Sequence, residues 1–310
     1  MADAPFPIDP VLTGIAMAYR NPRLIADEVL PRLPPFAREE FKYSKWTKEE
    51  PFTIPDTAVG RKGVPNEVNF TASDVPGATK DYGLDDIIPF TDQANAPEGI
   101  DPIGRATEGL TDLIGLDRER RVAGLVFTAG NYPAPNKATL AGTDQWTDDA
   151  SEPINKIMTA LDVPMLRPNT MVIGQEAWTK LRLNKKIVAA CNFSGASSGV
   201  AAREAIAELL EIESILVGQA FVNTAKPGQT PSLARAWGKS CALLYLDKLA
   251  MAQGSRITFG FTAQFGTKVS GQLPEPKIGL RGGTRVRVGE SVVEVISAAD
   301  LGYLFSAVIP

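Results

Sequence analysis
The sequence predicts an α+β fold with a two-stranded arm standing off it, and three observations predict it. Helical-period segments alternate with short apolar strands between residues 150 and 250. Two period-2 segments flank a turn-rich stretch between residues 36 and 80. One long helical stripe occupies residues 101–129.

Residues 11–19 form a short amphipathic piece. The stretch that follows begins Asn21-Pro22 and is closed by Pro31, Pro34 and Pro35. Prolines at this density predict an extended segment broken by at most a helical turn or two. Phe41 and Tyr43 then alternate with Lys42 and Ser44; Val68, Phe70 and Ala72 alternate with Glu67, Asn69 and Thr71. Between them lie Asp56, Gly60-Arg61-Lys62-Gly63 and Pro65-Asn66, a turn-rich tip. The outbound half, residues 41–60, reaches at most ~65 Å when fully extended. A lone hairpin is marginal in water, so this arm is expected to lie on its own body or on a neighbour.

Asp101 is a good N-cap and Pro102 suits the first helical position. Ile103, Ala106, Leu110, Leu113 and Ile114 make one stripe, resumed by Val122, Leu125, Val126 and Ala129. Gly130-Asn131 supplies the stop. Such a helix is ~42 Å long. Gly104, Gly109, Gly115 and Gly124 each weaken it by ~1 kcal/mol against Ala, so it depends on tertiary packing, with the glycines admitting another backbone. The block Asp117-Arg118-Glu119-Arg120-Arg121 is expected to be a solvated or interfacial face.

Ser151-Glu152-Pro153 opens a helix with Ile154, Ile157, Met158 and Leu161 on one face. Met171-Val172-Ile173, Ser214 to Gly218 and Ala242 to Leu246 read as buried strands, with helices around Trp178 and Leu209 between them and Ser197-Ser198 capping the second. Further on, Ile257, Phe259 and Phe261 alternate with polar or small residues. Residues 285–290 and 293–296 are expected to pair as a hairpin, and residues 301–309 to end as an apolar strand.

Composition narrows the function. The chain has 310 residues, enough for a well-buried core and two lobes. It has no histidine, which removes Ser-His and Cys-His pairs and most catalytic zinc sites. Cys191 and Cys241 are isolated in apolar settings and predict two reduced thiols. The net charge of -4 lacks the basic excess of a protein that wraps nucleic acid. No basic stretch followed by an apolar core marks a signal peptide, and no apolar run approaches the ~20 residues of a membrane span. Asp85-Asp86 and Asp148-Asp149 are adjacent carboxylates that a strand turns to opposite faces. Gly195-Ala196-Ser197-Ser198-Gly199 lacks the Lys-Ser/Thr ending of a phosphate loop. The expectation is a protein with no catalytic residue, cofactor or metal site.

Several local motifs resemble the major capsid proteins of tailed bacteriophages, whose fold is the Hong Kong 97 phage type. They are Asn21 to Pro31; Asp81-Tyr82-Gly83-Leu84 through Asn95-Ala96-Pro97; Gly142-Thr143-Asp144-Gln145-Trp146 followed by Ser151-Glu152-Pro153-Ile154; Pro168-Asn169-Thr170-Met171-Val172-Ile173-Gly174; Val217-Gly218-Gln219-Ala220; and Trp237-Gly238. Each is weak alone; their order and separations across nearly the whole chain carry the resemblance.

The resemblance implies an N-terminal arm over residues 1–35 and an extended β-hairpin loop over 36–85. It implies a peripheral domain over 86–140 with a long spine helix, a mixed α/β axial domain over 141–250, and peripheral strands over 251–310. The implied product is an icosahedral shell of hexamers and pentamers enclosing double-stranded DNA without sequence-specific contact. Scaffolding and portal proteins are the implied partners, assembly is in the host cytoplasm, and the scaffold is expected to be a separate protein or an upstream region already absent. A mildly negative wall suits packed DNA. An encapsulin-type nanocompartment is the alternative. Within the arm, Trp46, Arg61, Lys62, Phe41 and Tyr43 are the expected contacts with a neighbouring copy, Trp46 first because aromatics are enriched at interface hot spots.

Overall fold
Asp9 starts the first helix: its carboxylate accepts from the Val11 and Leu12 N–H groups, and Pro10 occupies the first helical position of α1 (Pro10–Ala18). We describe this fold from a computed structural model that covers residues 6–45, 54–61, 63–67, 73–192, 199–226, 228–247 and 257–310. A one-turn helix, α2 (Ala26–Val29), follows α1. The arm's base is β1 (Glu40–Lys45) paired antiparallel with β2 (Ser73–Ala78). The expected return residues Val68, Phe70 and Ala72 lie outside the described residues. Next come β3 (Lys80–Pro89), α3 (Phe90–Ala94) and the long helix α4 (Pro102–Val126).

The second lobe holds β4 (Lys137–Thr139), α5 (Pro153–Leu161), β5 (Thr170–Gly174), α6 (Gln175–Leu183), α7 (Lys185–Cys191), α8 (Arg203–Leu209), β6 (Ser214–Gly218), β7 (Phe221–Asn223), β8 (Leu233–Arg235) and β9 (Cys241–Leu244). The chain closes with β10 (Gly260–Glu275), β11 (Gly283–Ile296) and β12 (Gly302–Ser306). The expected Ser197-Ser198 cap lies outside the described residues; α8 starts after Ala202.

Five strands in the order β4-β12-β9-β5-β6 form the central sheet. Met171, Ile173, Cys241, Leu243 and Phe305 fill one of its faces together with Ile157, Leu181 and Ile206 from the helices. Val172, Ala242, Leu244 and Leu304 fill the other, against Val122 and Val126 of α4 and Val29 and Leu30 of the N-terminal segment. Burial on both faces explains why these strands read as short apolar runs rather than alternating ones. β12 belongs to this sheet, while β10 and β11 form another with β3. Leu304 and Phe305 serve opposite cores, and that double demand holds β12 here.

A second sheet, β10-β11-β3, packs against the first half of α4 through Ile88, Leu110, Ile114, Val286 and Val288. Here the expected 285–290/293–296 hairpin is corrected: β11 runs unbroken through Gly289, and its partner is β10. Gly289 marks a close backbone approach rather than a turn, because a Cβ there would stand 3.1 Å from the Tyr82 carbonyl of β3.

The N-terminal segment is not a free arm. Asp9 N–H donates to the Ser270 carbonyl (2.9 Å), Leu33 N–H to Thr262 (2.9 Å) and Phe36 N–H to Gln264 (2.8 Å), so residues 8–36 cover the edge of β10 that β11 leaves open. An open edge strand left uncovered invites pairing with another chain.

Candidate assembly surfaces
The buried stripe on α4 carries a charge in the gap between the two apolar runs that the sequence shows. Leu110, Ile114, Arg118, Val122 and Val126 sit four residues apart on one face, and all five are buried. Within the block 117–121 Arg120 is exposed, as a solvated face requires, but Arg118 and Glu119 correct that reading: they are buried, 2% and 0% exposed. Leu113, expected in the stripe, is instead 55% exposed. A Cβ added at Gly109 or Gly124 would meet no residue outside its own helix turn within 4 Å, and one at Gly115 would meet the Leu24 side chain (3.0 Å) rather than a backbone.

The Glu119 carboxylate accepts from the N–H groups of Ile25 (3.0 Å) and Ala26 (2.8 Å), the open N-terminal end of α2, and from the Trp237 indole. Burial pushes this carboxyl's pKa up, and the Ile25, Trp237 and Ala26 donors draw it back. Trp237 closes over the second lobe: a Cβ on Gly218 would stand 2.0 Å from its ring, and one on Gly174 would stand 2.0 Å from the Gly238 carbonyl. Three motifs far apart in sequence thus meet around one indole.

Arg118 faces the other way. It donates to the Leu30 carbonyl (3.2 Å), to Thr262 Oγ1 (2.9 Å) and to Asp27, and its Nε stands 3.6 Å from Glu294. Arg32 bridges Asp27 (2.8 Å) and Glu290 (2.9 Å). Burial works against ionisation of Asp27, but Arg118 and Arg32 outweigh it and hold the carboxyl below its ordinary range. These charges join the N-terminal segment, α4 and the β10-β11 pair into one body.

Of the five residues expected to touch a neighbour, two are used within the protomer. Phe41 stacks on Phe36 at 5.0 Å between ring centroids and covers Gly77, where a Cβ would meet its ring at 2.8 Å. Tyr43 meets Phe261 edge-on at 5.9 Å. Both brace the arm's base against the body. Arg61 is exposed at the tip, where Gly63 N–H donates to Gly60 (2.8 Å) and the Asn66 amide donates to the Asp56 carbonyl (2.9 Å). Ile54 and Val64, in the same segment, are 90% and 88% exposed. Trp46 and Lys62 lie outside the described residues. The β7-β8 hairpin carries a second exposed apolar pair, Phe221 and Leu233, with Arg235 stacked on Phe221 at 3.8 Å.

Asp144, Asp149 and Glu152 are each met by a lysine, Lys156, Lys185 and Lys186, at 2.5 Å, which neutralises the acidic loop. Among the described residues no group of three or more Cys, Asp or Glu is placed to hold a metal ion. Burial pushes the thiols of Cys191 and Cys241 up, which disfavours the thiolate at both. No helix among the described residues is long and apolar enough to cross a membrane.

The described residues thus form an arm braced at its base by Phe41 and Tyr43 and exposed at its tip, beside a body of two sheets joined by α4. No protein-family model matches the chain. The major capsid protein of Pseudomonas phage JBD67 is 53% identical over 305 residues, covering 98% of both chains. The major capsid protein of Burkholderia phage BcepMu is 26% identical over 318 residues, covering 97% of this chain and 96% of that one. The crystal structure of a phage-related protein from Bordetella bronchiseptica RB50 superposes with a TM-score of 0.77 at 22% identity, over 99% of this chain and all of that one. The chain belongs to the phage major capsid protein family and has the Hong Kong 97-type capsid fold.

Proposed function
We propose that this chain builds the head of a tailed phage by packing against copies of itself, as hexamers and pentamers, into an icosahedral shell around double-stranded DNA. Whole-length kinship to a phage major capsid protein carries the reading and favours a phage head over an encapsulin compartment. On this reading α4 is the spine of the peripheral domain, and the helices around the five-stranded sheet make the axial domain near the capsomer centre. The arm reaches over an adjoining protomer, with Trp46, Arg61 and Lys62 in contact with it, while Phe41 and Tyr43 set its angle of departure. Exposed ion pairs contribute only ~0–1 kcal/mol each, but a closed shell repeats every contact by symmetry. Scaffolding and portal proteins act during assembly in the host cytoplasm.

Expression with and without a co-expressed scaffold, followed by negative-stain electron microscopy, tests this. Shells, tubes or hexameric rings are the expected products. A chain that stays a rigid monomer at high concentration under both conditions overturns the proposal.

A further inference from the structure
The β10-β11 turn and the cleft beside it carry exposed apolar side chains and opposite charges. The turn follows Glu275 and presents Lys277, Leu280 and Arg281, with Leu280 99% exposed. Neither Lys277 nor Arg281 has an ion-pair partner among the described residues. A fully exposed leucine between two cations is costly to leave in water, because burying it is worth ~2 kcal/mol.

At the same end of the sheet, a cleft of about 1120 Å³ opens between β3, α3 and the first half of α4. Turn and cleft are neighbours, since Phe90 N–H, at the start of α3, donates to the Gly282 carbonyl (3.1 Å). The cleft floor is apolar, with Ile88, Ala106 and Leu110, and its rim carries the exposed Ile100 (47%) and Leu113 (55%). Its lining holds four aspartates against one arginine, Arg105. Asp85 is engaged by Arg285 and Arg287, whereas Asp86, Asp92 and Asp112 have no ion-pair partner among the described residues.

We propose that the Lys277-to-Arg281 turn of one copy inserts Leu280 into the acidic-rimmed cleft of a second copy, its two cations meeting Asp86, Asp92 and Asp112. This rests on the self-assembly reading and adds a contact that the extended arm does not make. Knob and hole lie side by side on one end of the same protomer, so copies related by an axis near that end can each seat a knob in a neighbour's hole.

The test mixes two variants in a Cys191→Ser background, in which the remaining native thiol, Cys241, is buried: Leu280→Cys in one preparation and Leu113→Cys in the other. The mixture is assembled and treated with a short bismaleimide, and the same sample is viewed by electron microscopy. Shells with a cross-linked dimer formed only by the mixture support the proposal, as does loss of at least tenfold of that dimer with Lys277→Glu/Arg281→Glu. Shells without the dimer overturn this contact and leave the assembly reading standing. A dimer from Val64→Cys with Leu113→Cys in its place gives the cleft to the arm tip and also overturns it. Absence of particles and dimer together overturns both readings.

Discussion
The buried carboxylate of Glu119 on the spine helix holds the indole N–H of Trp237 from the second lobe, and with its remaining lone pairs it holds the first turn of α2. One side chain thus joins three parts of the chain that are separated by about a hundred residues each way. Its position, one residue after the buried Arg118, gives α4 two adjacent charges directed to different partners.

Glu119→Ala leaves two amides and an indole without an acceptor. Each buried unsatisfied donor costs about 1–3 kcal/mol. Urea unfolding is expected to show a loss of about 3 kcal/mol or more. Limited proteolysis should then cut first near residues 20–30, where the docked segment has come loose. Wild-type stability in this variant would remove Glu119 from the account.

Gly218→Ala places a methyl 2.0 Å from the Trp237 ring. Overpacking of this kind costs about 1–3 kcal/mol. Trp237→Leu is also destabilising alone, since it removes a wholly buried ring. The double variant should cost less than the sum of the two, because the smaller side chain relieves the clash. Thermal unfolding of the four proteins measures the coupling; strict additivity argues against the contact.

Acid should weaken the attachment of β3. The Arg287 fork, bonded to Asp85 at 2.7 Å twice, together with Arg285, holds the Asp85 carboxyl below its ordinary range. A depressed folded-state pKa gives stability that is present above the unfolded value and lost as pH falls through the folded one. The wild type should exceed Asp85→Asn in urea midpoint at pH 6, and the gap should close as pH drops below the ordinary aspartate range near 4. An unchanged gap at pH 3 contradicts this.

Removing residues 44–72 joins Tyr43 to Ser73. Tyr43 faces Val75 in the ladder, so Ser73-Asp74 becomes a two-residue hairpin loop. The expected product keeps wild-type circular dichroism and a cooperative unfolding transition but forms no shells by electron microscopy. Intact shells from this variant would show that the arm is dispensable.

Much of the fold was readable in order along the chain. Asp101 and Pro102 marked the start of α4, and the apolar runs at 171–173, 214–218 and 242–246 marked strands buried on both faces, because caps and hydrophobic period are local signals. The kinship motifs were readable too, though their meeting place was not. Arg118 shows the limit: its four-residue spacing from Ile114 and Val122 put it on the buried stripe, yet a charged side chain reads as surface until its partners are known.

The amino-acid sequence by itself determined the element types, the absence of histidine chemistry and the membership in a capsid family. Only the tertiary structure decided that the proline-rich N-terminal segment lies along the β10 edge, that β11 continues through Gly289, and that Phe41 and Tyr43 turn inward. The physical reason is range. Caps, turns and periodicity act over a few residues, whereas an edge to cover, a glycine to approach and a partner for a buried charge are supplied by residues tens to hundreds of positions away.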